Sequence, residues 1–507
     1  MRFSVAFLDR VCHTGFTMYR KTYSKVAPKV APPVMAPVRI QRNWSAYQDA
    51  IFAEVSSGSG NVQVDALAGT GKTSTIVEAF WRIPQGRTAL LVAFNKSIQT
   101  ELASRIPSTA HCSTLHSLGL RCVKVSFPRA IVDNNKVDGI LRGMFGADNN
   151  WGFRSSLMKL VSLAKGYLAE TLESLDEVMD RHEVDSGDMP RAEFVATAIK
   201  VLAACKKDTA RVDFDDMIWF PHVYAMSAPK YDFVFIDESQ DLNQAQIALA
   251  LKCVGSTGRV ISVGDEHQAI YGFRGADSNA IGNIVAACNS KRLPLSVTYR
   301  CPRTVVAEAQ AFVPELESAP SAKDGTVSSV ALEKLIEAAK PGDFVLSRTN
   351  APLVSNCLAF IAAGIPANIQ GRDLGKALSA LIKKSNAANV SDFLVWLEEY
   401  RTQECLRLSA LNRSLDAVND KCDCLIALSE GAITIADLHR NIDKVFTDGD
   451  SSTRVMFSSV HKAKGLERNR VFLLRATFRP GKTQEETNLL YVAITRAISE
   501  LYYVTGK

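Results

Sequence analysis

From Asn43 onward, apolar positions switch repeatedly between alternation and helical spacing, the pattern of a chain that interleaves strands and helices. Spacing predicts a helix near 44–55, an alternating strand NVQVDA at 61–66, a glycine-rich turn and a helix starting at Lys72. Further apolar runs, TALLVAF at 88–94, YDFVFID at 231–237 and GRVISVGD at 258–265, are each followed by polar residues and a helical pattern. Runs that are apolar throughout suit a parallel sheet covered on both faces, with ligands at the carboxyl ends of its strands. A second set follows: DFVLSR at 343–348, IPANIQG at 365–371, RVMFSSVH at 454–461, RVFLLRA at 470–476 and ELYYVTG at 500–506. The expectation is an α/β protein of two lobes with parallel sheets. Each lobe is interrupted by a mostly helical stretch, about 120–225 and 380–450, without strand-like alternation or an internal repeat.

Composition changes this picture little: 507 residues, 47% hydrophobic and 22% charged, suit a multi-domain globular chain. No apolar stretch reaches the ~18–20 residues of a membrane span. The eleven cysteines are scattered, and the close pair Cys422 and Cys424 has no second pair to complete a metal site, so most read as reduced core residues. The net charge of +6 comes from residues 1–40, where seven Lys or Arg meet one acid, Asp9. With prolines at 28, 32, 33 and 37, that segment reads as a basic flexible arm. An organelle leader is the alternative, with Met18 or Met35 as other starts; otherwise the expected location is cytoplasmic and DNA-associated. Without the arm the chain is near neutral, so net charge gives no argument for nucleic-acid binding by the body.

Candidate chemistry begins with ALAGTGKT at 66–73, where a strand turns into a helix. Glycines let backbone approach phosphates, amides at the helix start point at the anion, Lys72 reaches the β and γ phosphates, and Thr73 can ligate Mg²⁺. Ala68, Gly69, Thr70, Gly71, Lys72, Thr73 and Ser74 are therefore candidate nucleotide contacts, although the strict pattern wants glycine where Ala66 stands. In VFIDESQD at 234–241 an apolar strand ends in Asp237 and Glu238. The first carboxylate suits Mg²⁺, held alongside Thr73, and the second suits the attacking water of ATP hydrolysis.

AGTGKT, IDESQD, GDEHQAIYGFRGA at 264–276, VHKAKGLE at 460–467 and LLYVAITRA at 489–497 occur in that order and together resemble UvrD/Rep-type superfamily 1 DNA helicases. The short layout and the AFNKS segment are closer to compact phage-type and F-box-helicase-like members. The resemblance implies two RecA-like P-loop lobes. The first takes 41–119 and 226–292, with a helical insertion at 120–225; the second takes 293–380 and 453–507, with a reduced helical insertion at 381–452. It assigns Gln48 to adenine reading, Tyr299 to adenine stacking, Glu467 to the nucleotide sugar, and Arg300 and Arg496 to the γ-phosphate. Gln268 would link phosphate state to DNA grip.

For nucleic acid the resemblance picks out Phe94, Asn95, Lys96, Thr114, His116, Tyr271, Phe273 and Arg274 on the first lobe, and Arg348, Asn350 and His461 on the second. Exposed aromatics suit a single strand, since each stacked base contributes about 1–3 kcal/mol without sequence preference. AFNK lacks the threonine that commonly separates Phe and Asn in the bacterial enzymes, and Ser459 stands where threonine is frequent. The implied activity is ATP-dependent DNA helicase or translocase action, 3′ to 5′, with ATP and Mg²⁺ as cofactors and single-stranded DNA and forks as partners. Its links to repair, replication or recombination, and any protein partners, stay open, and RNA is not excluded as a substrate. Two other readings stand beside it: a translocase that strips proteins without unwinding, and a nucleotide-switched interaction protein.

Overall fold

The computed structural model describes residues 42–146, 151–187, 189–272, 275–277, 279–410, 413–447 and 452–506. The N-terminal arm, Phe273 and Arg274 therefore lie outside the described residues. Among the described residues sixteen strands occur in chain order. The first eight are β1 Val62–Ala66, β2 Ala89–Ala93, β3 Ala110–Thr114, β4 Ile131–Val132, β5 Arg211–Val212, β6 Tyr231–Ile236, β7 Val254–Gly264 and β8 Lys291–Leu295. After these come β9 Val297–Thr298, β10 Glu317–Ser318, β11 Thr326–Ala331, β12 Phe344–Ser347, β13 Ala367–Ile369, β14 Val455–Ser459, β15 Arg468–Leu474 and β16 Ala497–Thr505.

Twelve of them form two six-stranded sheets, ordered β3-β2-β6-β7-β1-β8 and β11-β16-β15-β12-β14-β13, and every pairing within these sheets is parallel. Alternation divides the apolar residues of the first sheet between two cores. Leu91, Phe233, Phe235 and Val64 pack with Ile51, Phe52, Ile76 and Phe80 on one face, while Leu90, Val92, Val234 and Ile236 pack with Leu118, Leu249 and Ile284 on the other. The second sheet divides likewise: Val345, Phe457 and Phe472 face one core, Phe344, Leu346, Val471 and Leu473 the other. The latter core also takes in Leu67, Ala68 and Ile270 of the first lobe, so apolar packing joins the lobes beside the phosphate loop.

Three sheet strands escape the apolar pattern, β3, β8 and β11, and all three are sheet edges. Edge strands are half solvated and need no continuous apolar run; β8 even carries Pro294, which an edge tolerates. Strand β8 reaches Leu295, so the first sheet runs beyond residue 292. The first helical region, expected without strands, contains the short parallel ladder β4–β5. Its core holds a buried ionic knot in which Lys136 meets Asp216 at 2.6 Å and Lys165 meets Asp213 at 2.7 Å and Asp216 at 2.8 Å.

Candidate nucleotide and nucleic-acid site

The helix Lys72–Trp81 begins at the predicted residue, with Gly71 at its N-cap in the left-handed region (φ 81°). Gly69 (φ 73°) is required twice over: any Cβ there would stand 2.4 Å from Thr298 Oγ1 and 2.7 Å from the Arg300 Cβ. Its carbonyl accepts from the Tyr299 amide at 2.9 Å, which ties the phosphate loop to the chain entering the second lobe. Thr70 is buried and donates to the Leu67 carbonyl at 2.8 Å. The Ala68 amide donates to the Tyr491 hydroxyl at 3.0 Å. Ser74 accepts from Arg42 at 3.2 Å, and Thr73 is partly exposed on the first turn. Gln48 is buried beside this loop, donating to Thr75 Oγ1 at 2.9 Å while its carbonyl oxygen accepts from the Ser45 amide at 3.0 Å. It also closes the capping box of the helix Ala46–Ser57.

At the tip of β6, Asp237 is buried and Glu238 adopts left-handed backbone (φ 49°, ψ 46°), which turns its carboxylate toward Lys72 Nζ at 3.4 Å. Burial and the neighbouring Glu238 charge raise the Asp237 carboxyl. Burial also acts to raise Glu238, but Lys72 and Lys464 outweigh it and hold that carboxyl down, so Glu238 keeps its charge. Lys72 is shifted upward, because Glu238, Asp265 and Asp237 outweigh its burial. Hard carboxylate and hydroxyl oxygens at Asp237 and Thr73 are the ligand type Mg²⁺ prefers.

On the facing wall, Arg300 forms an ion pair with Glu467 and donates to the Thr495 carbonyl at 3.2 Å. Arg496 is buried and donates to the Val492 carbonyl at 2.9 Å and the Leu466 carbonyl at 3.2 Å. Burial and the Arg300 charge push its pKa down to about 10. Tyr299 is 51% exposed, which suits stacking.

A continuous polar chain leaves Glu238. Gln240 donates to it at 2.5 Å and accepts from the Asp265 amide at 3.0 Å; Asp265 accepts from Gln268 at 2.7 Å. Lys464 of the second lobe donates to the Gln268 carbonyl at 2.7 Å, grips both oxygens of Asp241 at 2.6 and 2.8 Å, and lies 4.8 Å over the Tyr271 ring. Lys464 and Asp241 stand inside the motifs VHKAKGLE and IDESQD, but sequence reasoning gave them no role; their signal is a lysine and a carboxylate with no ATP task to perform.

Most of the expected nucleic-acid residues that the structure describes lie at or just beyond the carboxyl ends of parallel strands: Phe94–Lys96 after β2, Thr114 at the end of β3, Arg348 and Asn350 after β12, His461 after β14. Phe94 is 41% exposed and parallel to Tyr271 (ring centroids 6.5 Å apart, planes 7° apart). Several others serve the fold as well. Asn95 and Thr114 cap helices, and Lys96 contacts Gln99 at 2.6 Å. Arg348 pairs with Glu486 at 2.7 Å, and Asp420 accepts from the Asn350 side chain at 2.8 Å and its amide at 2.7 Å. The Tyr271 hydroxyl donates to the His461 carbonyl at 2.9 Å. His116 has its pKa lowered by burial and meets the 51%-exposed Phe214 edge-on at 5.4 Å. Phe214 went unrecognised, since only its place beside His116 singles it out. Its helix is anchored by Asp213 and Asp216, two members of the buried ionic knot.

The UvrD/REP helicase N-terminal domain model matches residues 47–288, and the UvrD-like helicase C-terminal domain model matches 367–507. The chain belongs to the UvrD/Rep helicase family. This helicase-family chain is 26% identical to F-box DNA helicase protein 1 of Schizosaccharomyces pombe over 90% of its own length and 56% of that protein. It is 24% identical to ATP-dependent DNA helicase PcrA of Leuconostoc citreum, over 51% of this chain and 38% of that one. With DNA helicase II of Escherichia coli it shares 25% identity over 51% of this chain and 39% of that one. The UvrD/Rep-family chain thus spans between about two fifths and just over half the length of these relatives. Among its described residues no helix is long and apolar enough to cross a membrane.

Proposed function

We infer that the protein is an ATP-dependent DNA helicase or translocase that hydrolyses ATP to move 3′ to 5′ along single-stranded DNA and to separate duplex at forks. The observation that carries this reading is the polar chain from Glu238 through Gln240, Asp265 and Gln268 to Lys464 and Tyr271, which joins the candidate base of hydrolysis to an aromatic of the strand track.

Lys72 neutralises the β and γ phosphates, and the charged Glu238 orients water and accepts its proton. Bound at Asp237 and Thr73, Mg²⁺ would supply charge neutralisation on the phosphates. Arg300 and Arg496 approach from the other lobe, where a planar permanent cation stabilises charge on the transferring group. Gln48 and Tyr299 hold the adenine, and Glu467, freed from Arg300, takes the sugar. Because the two sets of charges lie on opposite walls, nucleotide draws the lobes together and product release relaxes them. Phe94, Tyr271 and Phe214 stack bases, while Asn95, Lys96, Thr114, His116, Arg348, Asn350 and His461 contact the backbone.

The test is ATP hydrolysis with and without poly-deoxythymidine, repeated with poly-uridine, for wild type, Lys72→Ala and Arg496→Ala. Stimulation by the DNA strand that both substitutions abolish is the expected result; a basal rate unmoved by either polymer overturns the motor. Tailed duplexes of opposite polarity then read direction, and a protein-blocked single strand separates unwinding from protein displacement.

A further inference from the structure

The helix Arg372–Ser385 carries a basic stripe that none of the preceding argument uses. Arg372, Lys376, Ser379 and Lys383 are spaced four, three and four residues apart, which at ~100° per residue keeps them within about 60° of one another. The three cations are exposed, and Leu378, Leu381 and Ile382 of the same helix are buried against the lobe. With the helix Ile435–Val445 the stripe lines a shallow groove of about 780 Å³ floored by Gly375, Ile442 and Phe446, and among the described residues Asp443 is the one carboxylate on its lining. A Cβ at Gly375 would meet Phe446 at 3.1 Å and Ile442 at 3.3 Å, so glycine lets the two helices close and keeps the groove shallow.

The stripe is continuous with the strand track. At its upper end Lys462 Nζ occupies the space that a Cβ on Gly371 would need, and Lys462 directly follows His461 on the turn leaving β14. From Arg372 to Lys383 it runs about 16 Å, at ~1.5 Å per helical residue. Measured along a duplex axis, that length covers roughly five base-pair rises of ~3.4 Å.

We propose that this groove is a docking surface for the phosphate backbone of double-stranded DNA, adjoining the single-strand track on the second lobe. The chemistry selects duplex over single strand. A bare strand is held by aromatic faces, as at Phe94 and Tyr271, whereas the stripe offers cations and one hydroxyl, and the ring in the groove, Phe446, is buried in its floor. Backbone charge without stacking fits a partner whose bases are already paired inside. The inference rests on the DNA-motor reading above.

The experiment measures binding of the full chain to a 3′-tailed duplex and to an oligo-deoxythymidine of the tail's length, across a salt series, for wild type and Lys376→Gln/Lys383→Gln. Both side chains are exposed, and an unchanged melting temperature checks the fold. We expect weaker binding of the tailed duplex only, with its slope of log affinity against log salt shallower by about 1.8, since each neutralised duplex phosphate contributes about 0.9. Restoring charge with Lys376→Arg/Lys383→Arg should restore the slope. Unchanged tailed-duplex affinity and slope overturn the proposal. An equal loss on oligo-deoxythymidine also overturns it, by assigning the stripe to the single strand. Failure of poly-deoxythymidine to stimulate wild-type ATP hydrolysis would instead strike the motor reading itself.

Discussion

Around the nucleotide cleft, side chains and backbone of one lobe hold those of the other: Lys464 grips Asp241, the Tyr491 hydroxyl takes the Ala68 amide, Asn488 reaches the Glu266 and Ala269 carbonyls, and Tyr299 bonds Gly69. Along the strand track most polar side chains close instead on neighbours of their own lobe, Asn95 and Thr114 as caps, Arg348 on Glu486, Asn350 on Asp420. Tyr271 is an exception, bonded to the His461 carbonyl across the lobes. The cleft is therefore sensitive to how the lobes sit, and the track is a surface largely pre-formed within each lobe. Changes in the cleft should strike turnover and coupling, and changes in the track should strike affinity.

The widest separation is expected from Lys72→Ala and Arg300→Ala, each lowering strand-stimulated ATP hydrolysis by about 10³-fold while nucleotide-free strand affinity stays near wild type. Parallel loss of affinity would mean that cleft and track are not separable. Next comes Lys464→Ala, which strands the buried Asp241 carboxylate and should cost about 3 kcal/mol of stability. Adding Asp241→Asn should recover much of that, and a thermodynamic cycle from denaturant melts reads the coupling; purely additive effects would deny the bridge between lobes. On the track, Phe94→Ala should weaken single-strand binding by about 1–3 kcal/mol and leave ATP turnover at saturating strand intact. A fall in saturated turnover would place Phe94 in the coupling path instead.

The last effect is a pH dependence. Burial, with the Glu238 charge, pushes Asp241 up to about 6 despite the opposing Lys464. Its folded form thus holds a proton more tightly than the unfolded chain does, where the value is near 3.9. The cost of burying this charge is absent below about pH 4, grows through the window from 4 to 6 and is complete above it, so this residue's contribution to stability falls as pH rises. From 3.9 to about 6, at ~1.36 kcal/mol per pH unit, the full size is roughly 3 kcal/mol, visible as a difference in melting temperature between wild type and Asp241→Asn across that window. Identical pH profiles for the two proteins would remove Asp241 as the cause.

Central strands and the phosphate loop were legible because their physics is local: most buried parallel strands are near-continuous apolar runs, β1 shows alternation, and a phosphate loop must have glycine where φ is positive. Edge strands such as β3 and β11 were not, because partial exposure erases the pattern. Motif order and the family resemblance pointed to Lys72, Glu238, Arg300 and Arg496 together, yet the pairings of Lys464 with Asp241 and of Phe214 with His116 join residues 223 and 98 positions apart, which no local spacing encodes. The caps at Asn95 and Thr114 are visible in sequence as residue types. Their second task as candidate strand contacts comes only from where their strands end.

The bond between the Gly69 carbonyl and the Tyr299 amide has a mechanical meaning. It pins the chain entering the second lobe against the phosphate loop, so a swing of one lobe on the other has its fulcrum near the nucleotide. Displacement then grows with the lever arm: a rotation of about 10° moves a point roughly 20 Å away by about 3.5 Å, close to the ~3.4 Å advance per nucleotide of a strand. Under the proposed reading, a hinge there would keep the nucleotide almost stationary and put the travel at the far edge.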